Sequence, residues 1–181
     1  TYRLTADGTV LEDFPISAAM KGNAAGIPLL IGTTQEEMAL INVKPLARVL
    51  DVEAIVEEGI KQETPEVRRA LVETYTRVYG RRQGESMLYT DLLFRISSVW
   101  FAEAASIASP VWMYRFDFES AILRMNRIHA FHSTDLPFIF GNLKHLLVRP
   151  MFLLDRDMGG VHSIAREIQI DFITFARSGK L

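Results

Sequence analysis

The sequence predicts an α/β fold of parallel strands with mostly helical connections, and three features carry that reading. Ile27-Pro28-Leu29-Leu30-Ile31-Gly32 is a short, unbroken apolar run bounded by glycines, the form expected of a strand covered on both faces. Val111 to Phe118 is a second run, rich in aromatic and β-branched side chains, and is the stronger strand candidate. The long stretch between them carries helical periodicity. Two buried strands joined by a helical crossover form a right-handed parallel unit, and active groups then belong beyond the carboxyl ends of the strands.

Taken in order, Asp7-Gly8 marks a turn, and Phe14-Pro15 ends the short extended piece after it. After the first strand, Val52, Ile55, Val56 and Ile60 stand at helical spacing over about 51–61. Thr64-Pro65-Glu66 opens a second helix with a cap, a first-position proline and an early acid, and Gly80 is its expected stop. A third helix is expected from about Ser86 to Ile107, with Leu88, Leu92, Ile96, Val99 and Ala102 on its buried side. Pro110 breaks it and leads into the second strand. The segment from Glu119 to His132 reads as a loop, and an amphipathic helix from about Val161 to Phe175 groups Ile164, Ile168, Phe172 and Phe175 for packing. No internal repeat, low-complexity segment or linker divides residues 1–181.

Composition bounds the function without naming it. The chain has 181 residues, 49% of them apolar, and a net charge of −2, enough for one cored domain of ordinary globular type. Basic residues are interleaved with acids, as in Glu66-Val67-Arg68-Arg69, so no single-sign stripe exists to neutralise a phosphate backbone, and no nucleic-acid partner is expected. No apolar run approaches the roughly 20 residues that span a bilayer, and no secretory signal opens the chain, so no membrane partner is expected. Zero cysteines fit a reducing compartment, and a cytoplasmic location is expected.

Two motifs carry the chemistry. Pro28-Leu29-Leu30-Ile31-Gly32-Thr33-Thr34-Gln35-Glu36-Glu37 ends on an acid, and Ala130-Phe131-His132-Ser133-Thr134-Asp135-Leu136-Pro137-Phe138-Ile139-Phe140-Gly141 presents a histidine. Between and after them come Asp91 and Phe94, then Pro110-Val111-Trp112-Met113-Tyr114-Arg115-Phe116, and finally Asp171-Phe172-Ile173-Thr174-Phe175-Ala176-Arg177-Ser178-Gly179. In this order and spacing they resemble the type-B carboxylesterase family of the α/β-hydrolase superfamily, the branch that holds the para-nitrobenzyl esterases and cholinesterases. The resemblance spans nearly the whole chain. It departs from the family pattern at Met38, where a glycine is usual.

The resemblance implies that Glu37 and His132 are the acid and histidine of a catalytic triad, with Asp135 a supporting acid that orients the site from behind. On its own Glu37 reads also as a first-turn glutamate favoured by a helix dipole, and a lone histidine is most often a partly buried side chain bonded to backbone. The aromatic side chains Trp100, Phe101, Phe138 and Phe140 are the expected substrate pocket. His129 and His132 stand three apart on what could be one helix face, but His145, His162 and Asp135 lie at no recognisable ligand spacing, so neither a metal nor any other cofactor is expected.

The third triad member is missing from the pattern. Gly84-Glu85-Ser86 copies the first half of the family's G-E-S-A-G elbow, but Met87 and Leu88 follow and Gly80-Arg81-Arg82-Gln83 is a polar loop, not a strand. The family's order of serine, acid, histidine is broken as well. Ser86 therefore reads as a helix-capping residue, and no glycine-rich loop supplies oxyanion donors. Residues 1–181 are thus expected to be the carboxyl-terminal part of a carboxylesterase-like domain with the nucleophile segment absent. The expected function is part of a serine carboxylesterase that hydrolyses small-molecule carboxylic esters through an acyl-enzyme, inactive as the isolated chain. The alternative is a non-catalytic carboxylesterase-like binding or interaction module. The resemblance also implies that the strand at Pro28 to Ile31 is interior in the full fold, so that without its neighbour an open strand edge and uncovered apolar faces are expected to drive self-association.

Overall fold

The structure, a computed structural model, describes residues 7–43 and 63–181. Its sheet has two parallel strands, β1 (Leu29–Thr34) and β2 (Val111–Phe116), in register from Leu29 opposite Val111 to Thr34 opposite Phe116. Gly32 faces Tyr114 across the pair, and a Cβ at Gly32 would fall 2.3 Å from the tyrosine ring. The glycine of the first motif thus makes room for an aromatic side chain on the neighbouring strand.

The connections differ from the sequence reading in instructive ways. A short helix, α1 (Pro15–Met20), begins where an extended piece was expected to end, with Pro15 in the first turn, where its missing N–H costs nothing. The helix expected over about 51–61 lies outside the described residues. The capped helix appears as α2 (Pro65–Tyr79): the Thr64 hydroxyl accepts the Val67 N–H, and Gly80 closes it at φ 80°. The single long helix expected next is three pieces run together, α3 (Gly84–Thr90), a π-helical turn (Asp91–Arg95) and α4 (Ile96–Ser106). Leu88 and Ala102 are buried as the periodicity requires, while Leu92, Ile96 and Val99 are only half-buried. The π turn inserts an extra residue and shifts the phase of α4 relative to α3.

Beyond β2 the segment expected as a loop contains α5 (Ala121–Asn126), capped by the Ser120 hydroxyl and closed by Arg127 in the left-handed region. A single turn, α6 (Leu136–Ile139), follows the histidine motif, and the last helix, α7 (Met158–Ser178), extends past the expected bounds at both ends. Asp157 caps it through the Gly160 N–H and Gly179 stops it at φ 67°. This helix lies against β2, with Phe175 edge-on to Trp112 and Phe172 edge-on to Tyr114. Phe116, Ala130, Phe138, Leu143, Phe152, Val161 and Ala165 form the core, closed by ring contacts among Phe116, Phe118, Phe138 and Phe152. Because Ala130 and Phe138 are anchored in that core, the histidine between them is delivered from a fixed loop. No helix among the described residues is long and apolar enough to cross a membrane.

Candidate functional site

Beyond the carboxyl end of β1 the chain turns sharply through Gln35 to Met38, and the histidine loop runs alongside. Two backbone bonds zip the segments together: the Glu36 N–H donates to Ala130 O at 2.9 Å, and the His132 N–H donates to Glu37 O at 3.1 Å. Glu37 and His132, 95 positions apart in sequence, are therefore brought face to face. His132 Nδ1 lies 2.8 Å from Glu37 Oε2, and the second carboxylate oxygen accepts the Thr34 N–H at 2.7 Å. The carboxylate is almost fully buried, at 6% side-chain exposure, while the imidazole is 60% exposed. Phe94 packs on the ring with centroids 5.0 Å apart. Ser133, the next residue, sits at φ 69°, a conformation rare for a side chain with a Cβ and a form of backbone strain that clusters at functional sites.

This geometry fixes the imidazole's chemistry. A carboxylate that accepts at Nδ1 selects the tautomer with its proton there, which leaves the Nε2 lone pair free. A ring held in this tautomer can take a proton at Nε2, and the buried carboxylate then stabilises the imidazolium.

The neighbouring acid has a different environment. Glu36 is 1% exposed, accepts a short hydrogen bond from Ser86 Oγ, and stands 4.0 Å from His129 Nε2, with Gln83 Nε2 at 3.5 Å. Burial pushes its carboxyl above the usual range, and the Ser86 hydroxyl and His129 partly offset this. Ser86 corrects the sequence reading: it lies inside α3 rather than capping it, is wholly buried, and accepts from Asn42 Nδ2 at 3.1 Å. Gly84, two residues before, has its Cα against α2, where a Cβ would meet Thr76 backbone at 2.8 Å. The Gly-Glu-Ser sequence thus serves helix packing and a buried polar contact, not an exposed elbow.

The remaining candidates are dispersed. Asp135 accepts the Tyr114 hydroxyl at 3.1 Å, so its carboxylate is engaged with β2 and not with the imidazole; burial first, then Asp135, raises the Tyr114 phenol. Phe138 is a core residue at 1% exposure, and so belongs to the packing and not to a pocket wall. Phe101 lines a cavity of about 220 Å³ with Ala19, Ile27 and Leu29, at the end of β1 away from Glu37. Trp100 and Phe140 are exposed. His129 Nδ1 is held by Glu119 and His132 by Glu37, and among the described residues no group of three or more His, Cys, Asp or Glu is disposed to hold a metal ion.

Sequence reasoning missed Arg95 and Thr90. The Arg95 guanidinium donates to Gln35 O at 2.6 Å and Thr34 O at 3.2 Å, and Thr90 Oγ1 accepts the Met38 N–H at 3.1 Å. Both fasten the acid turn through its backbone, which leaves no motif to read.

A sequence profile described as the carboxylesterase family matches residues 3–180. The chain is 34% identical over 179 residues to a para-nitrobenzyl esterase of Bacillus subtilis (strain 168), covering 98% of this chain and 35% of that protein. It is 26% identical over 183 residues to a fumonisin B1 esterase of Sphingopyxis macrogoltabida, covering 96% of this chain and 32% of that one. A solved PNB esterase superposes with a TM-score of 0.65 at 32% identity, over 98% of this chain and 35% of the other, and a thermophilic PNB esterase with 0.63 at 29%, over 96% and 34%. The chain therefore spans about a third of the length of the relatives it matches.

Proposed function

Because this chain belongs to the carboxylesterase family, we propose that it is the part of a serine carboxylesterase that supplies the triad acid, Glu37, and the triad histidine, His132. The observation that carries the reading is the 2.8 Å contact between the two, made by a buried carboxylate on an exposed ring. In the reaction Nε2 of His132 takes the proton of a serine hydroxyl as its oxygen bonds to the ester carbonyl carbon, then returns that proton to the departing alcohol oxygen. The same nitrogen next takes a proton from water as it attacks the acyl-enzyme, and returns it to the serine. Glu37 holds the ring in the required tautomer throughout.

The nucleophile and the oxyanion donors belong, in this proposal, to a part of the protein outside residues 1–181. No serine here other than Ser86 has a glycine two positions away, and Ser86 is sealed against Glu36. Small carboxylic esters such as para-nitrobenzyl esters are the proposed substrates. A chimera tests this: the corresponding third of the Bacillus subtilis para-nitrobenzyl esterase is replaced by this chain and hydrolysis of a p-nitrobenzyl ester is followed. Activity that falls at least about a thousandfold on His132→Ala, with a large loss also on Glu37→Gln, is the expected result. An active chimera indifferent to both substitutions would remove the triad assignment and leave a non-catalytic module. The isolated chain should turn over a p-nitrophenyl ester no faster than its own His132→Ala variant.

A further inference from the structure

The helical crossover meets the acid turn and the imidazole through its π-helical turn, Asp91–Arg95. Arg95 is four-fifths buried, and its guanidinium is shared among three acceptors: Asp91 Oδ1 at 2.7 Å, Gln35 O at 2.6 Å and Thr34 O at 3.2 Å. The other Asp91 oxygen accepts the Tyr75 hydroxyl at 2.6 Å, which ties the arrangement back to α2. The two carbonyls that Arg95 holds lead directly into Glu36 and Glu37, and Thr34 is also the residue whose N–H holds the Glu37 carboxylate. Phe94, the residue before Arg95, packs against His132 with the two rings tilted by 40°. One terminal nitrogen of Arg95, Nη2, donates to both carbonyls while the other, Nη1, holds Asp91, and a lysine ammonium, a single point donor, does not reproduce two donor nitrogens set apart on a rigid plane.

We propose that Arg95 is a positioning residue for the Glu37–His132 pair, held by Asp91 and Tyr75, and that the π turn exists to bring Arg95 to the acid turn while Phe94 covers the imidazole. The proposal rests on the reading of Glu37 and His132 as a working pair. Arg95 touches neither side chain of the pair. Its charge is matched by Asp91, so its contribution is to the backbone from which Glu37 is presented. Among the described residues, the titratable groups packed around the turn include Glu36, Arg82 and, on the histidine loop, His129.

The test is exchange of the His132 Nδ1 proton with water, measured by NMR on the 181-residue chain carrying ¹⁵N-labelled histidine. In the wild type that proton should be protected by Glu37 and lost to fast exchange in Glu37→Gln. Arg95→Met should speed exchange at least about tenfold while amides of the core around Phe116 keep their protection, since local opening differs from global unfolding. Arg95→Lys should recover only part of the protection, and Arg69→Met, exposed on α2, should leave it intact. If Arg95→Met does not fold, Tyr75→Phe, which removes one hydroxyl from the chain of contacts, decides in the same terms. Protection lost in Glu37→Gln but unchanged in Arg95→Met and Tyr75→Phe overturns the positioning role and leaves the pair standing. Core amides and the imidazole proton exposed in parallel would make Arg95 merely structural. No Glu37-dependent protection in the wild type would overturn the pair itself.

Discussion

Gly84→Ala separates the packing role of the Gly-Glu-Ser sequence from any other. Gly84 opens α3 with ordinary helical backbone, so by propensity alone alanine should stabilise it by about 0.5–1 kcal/mol. A Cβ there, however, would stand 2.8 Å from both Cα and N of Thr76 and 3.0 Å from the Tyr75 carbonyl carbon. These are backbone atoms of α2 and cannot swing aside, so the two helices must separate, which costs about 1–3 kcal/mol. The difference is a net loss of up to about 2.5 kcal/mol, or up to about 10 °C in Tm for a domain of this size. Thermal unfolding by circular dichroism, with a urea midpoint at unchanged m-value, measures it. Gly80→Ala is the contrasting control, since it meets open space but has φ 80°; it should destabilise through backbone conformation alone. A Gly84→Ala chain with a raised Tm would show that α2 and α3 do not touch there, and with that contact would go the fixed placement of Ser86 against Glu36.

Three further outcomes are expected. Burial raises the Glu36 carboxyl, so the folded chain binds that proton more tightly than the unfolded one. The stability this group contributes is complete below its ordinary value of 4.5 and is lost as pH rises through the higher folded value. Tm measured from pH 4 upward should therefore decline less in Glu36→Gln than in the wild type, and parallel curves would exclude the effect. Among the described residues nothing bonds the buried Thr34 Oγ1, so Thr34→Val should be neutral or stabilise by up to about 1 kcal/mol; a loss larger than that in urea unfolding would reveal a partner. Among the described residues the sheet has two strands, and Phe14, Met20, Ile27, Leu146 and Leu147 are exposed. We therefore expect light scattering during size exclusion to find a dimer or larger species, against which a monodisperse 20.5 kDa monomer that binds no hydrophobic dye would count.

Which parts of this chain were legible in its sequence follows from how local each cause is. The parallel strands and the bounds of α2 could be read because an unbroken apolar run, Thr64, Pro65 and Gly80 act within a few residues of themselves. Helices α1 and α5 could not, because six residues hold too few turns for a period to emerge. The π turn was hidden for the opposite reason: the helical period runs on through it, and only the half-burial of Leu92, Ile96 and Val99 betrays the change of phase. Ser86 was misread as a cap because its partner, Glu36, is 50 positions away. Aromatic chemistry alone does not mark a pocket: Phe138 packs in the core and Phe101 lines a cavity at the far end of β1. Glu37 and His132 stood out because side-chain chemistry imposes residue identity. The groups that fasten them act on backbone, and backbone contacts impose little.

That division bears on what the rest of an esterase would have to provide. Among the described residues Glu37 is held by the Thr34 N–H on its carboxylate and the His132 N–H on its carbonyl, with Thr90 on the next amide and Arg95 on the two preceding carbonyls. The acid and the tautomer of the imidazole are thus set locally, in a turn braced by α3 and the π segment. The other face of the site is open, with the His132 side chain 60% exposed. The Glu37 carboxylate is presented from a braced turn to the Nδ1 side of the ring. In our proposal a second segment contributes a hydroxyl within reach of Nε2 and the amides that receive the developing oxyanion. This asymmetry is why, in our proposal, exchange at Nδ1 can report on the site even where ester turnover is absent.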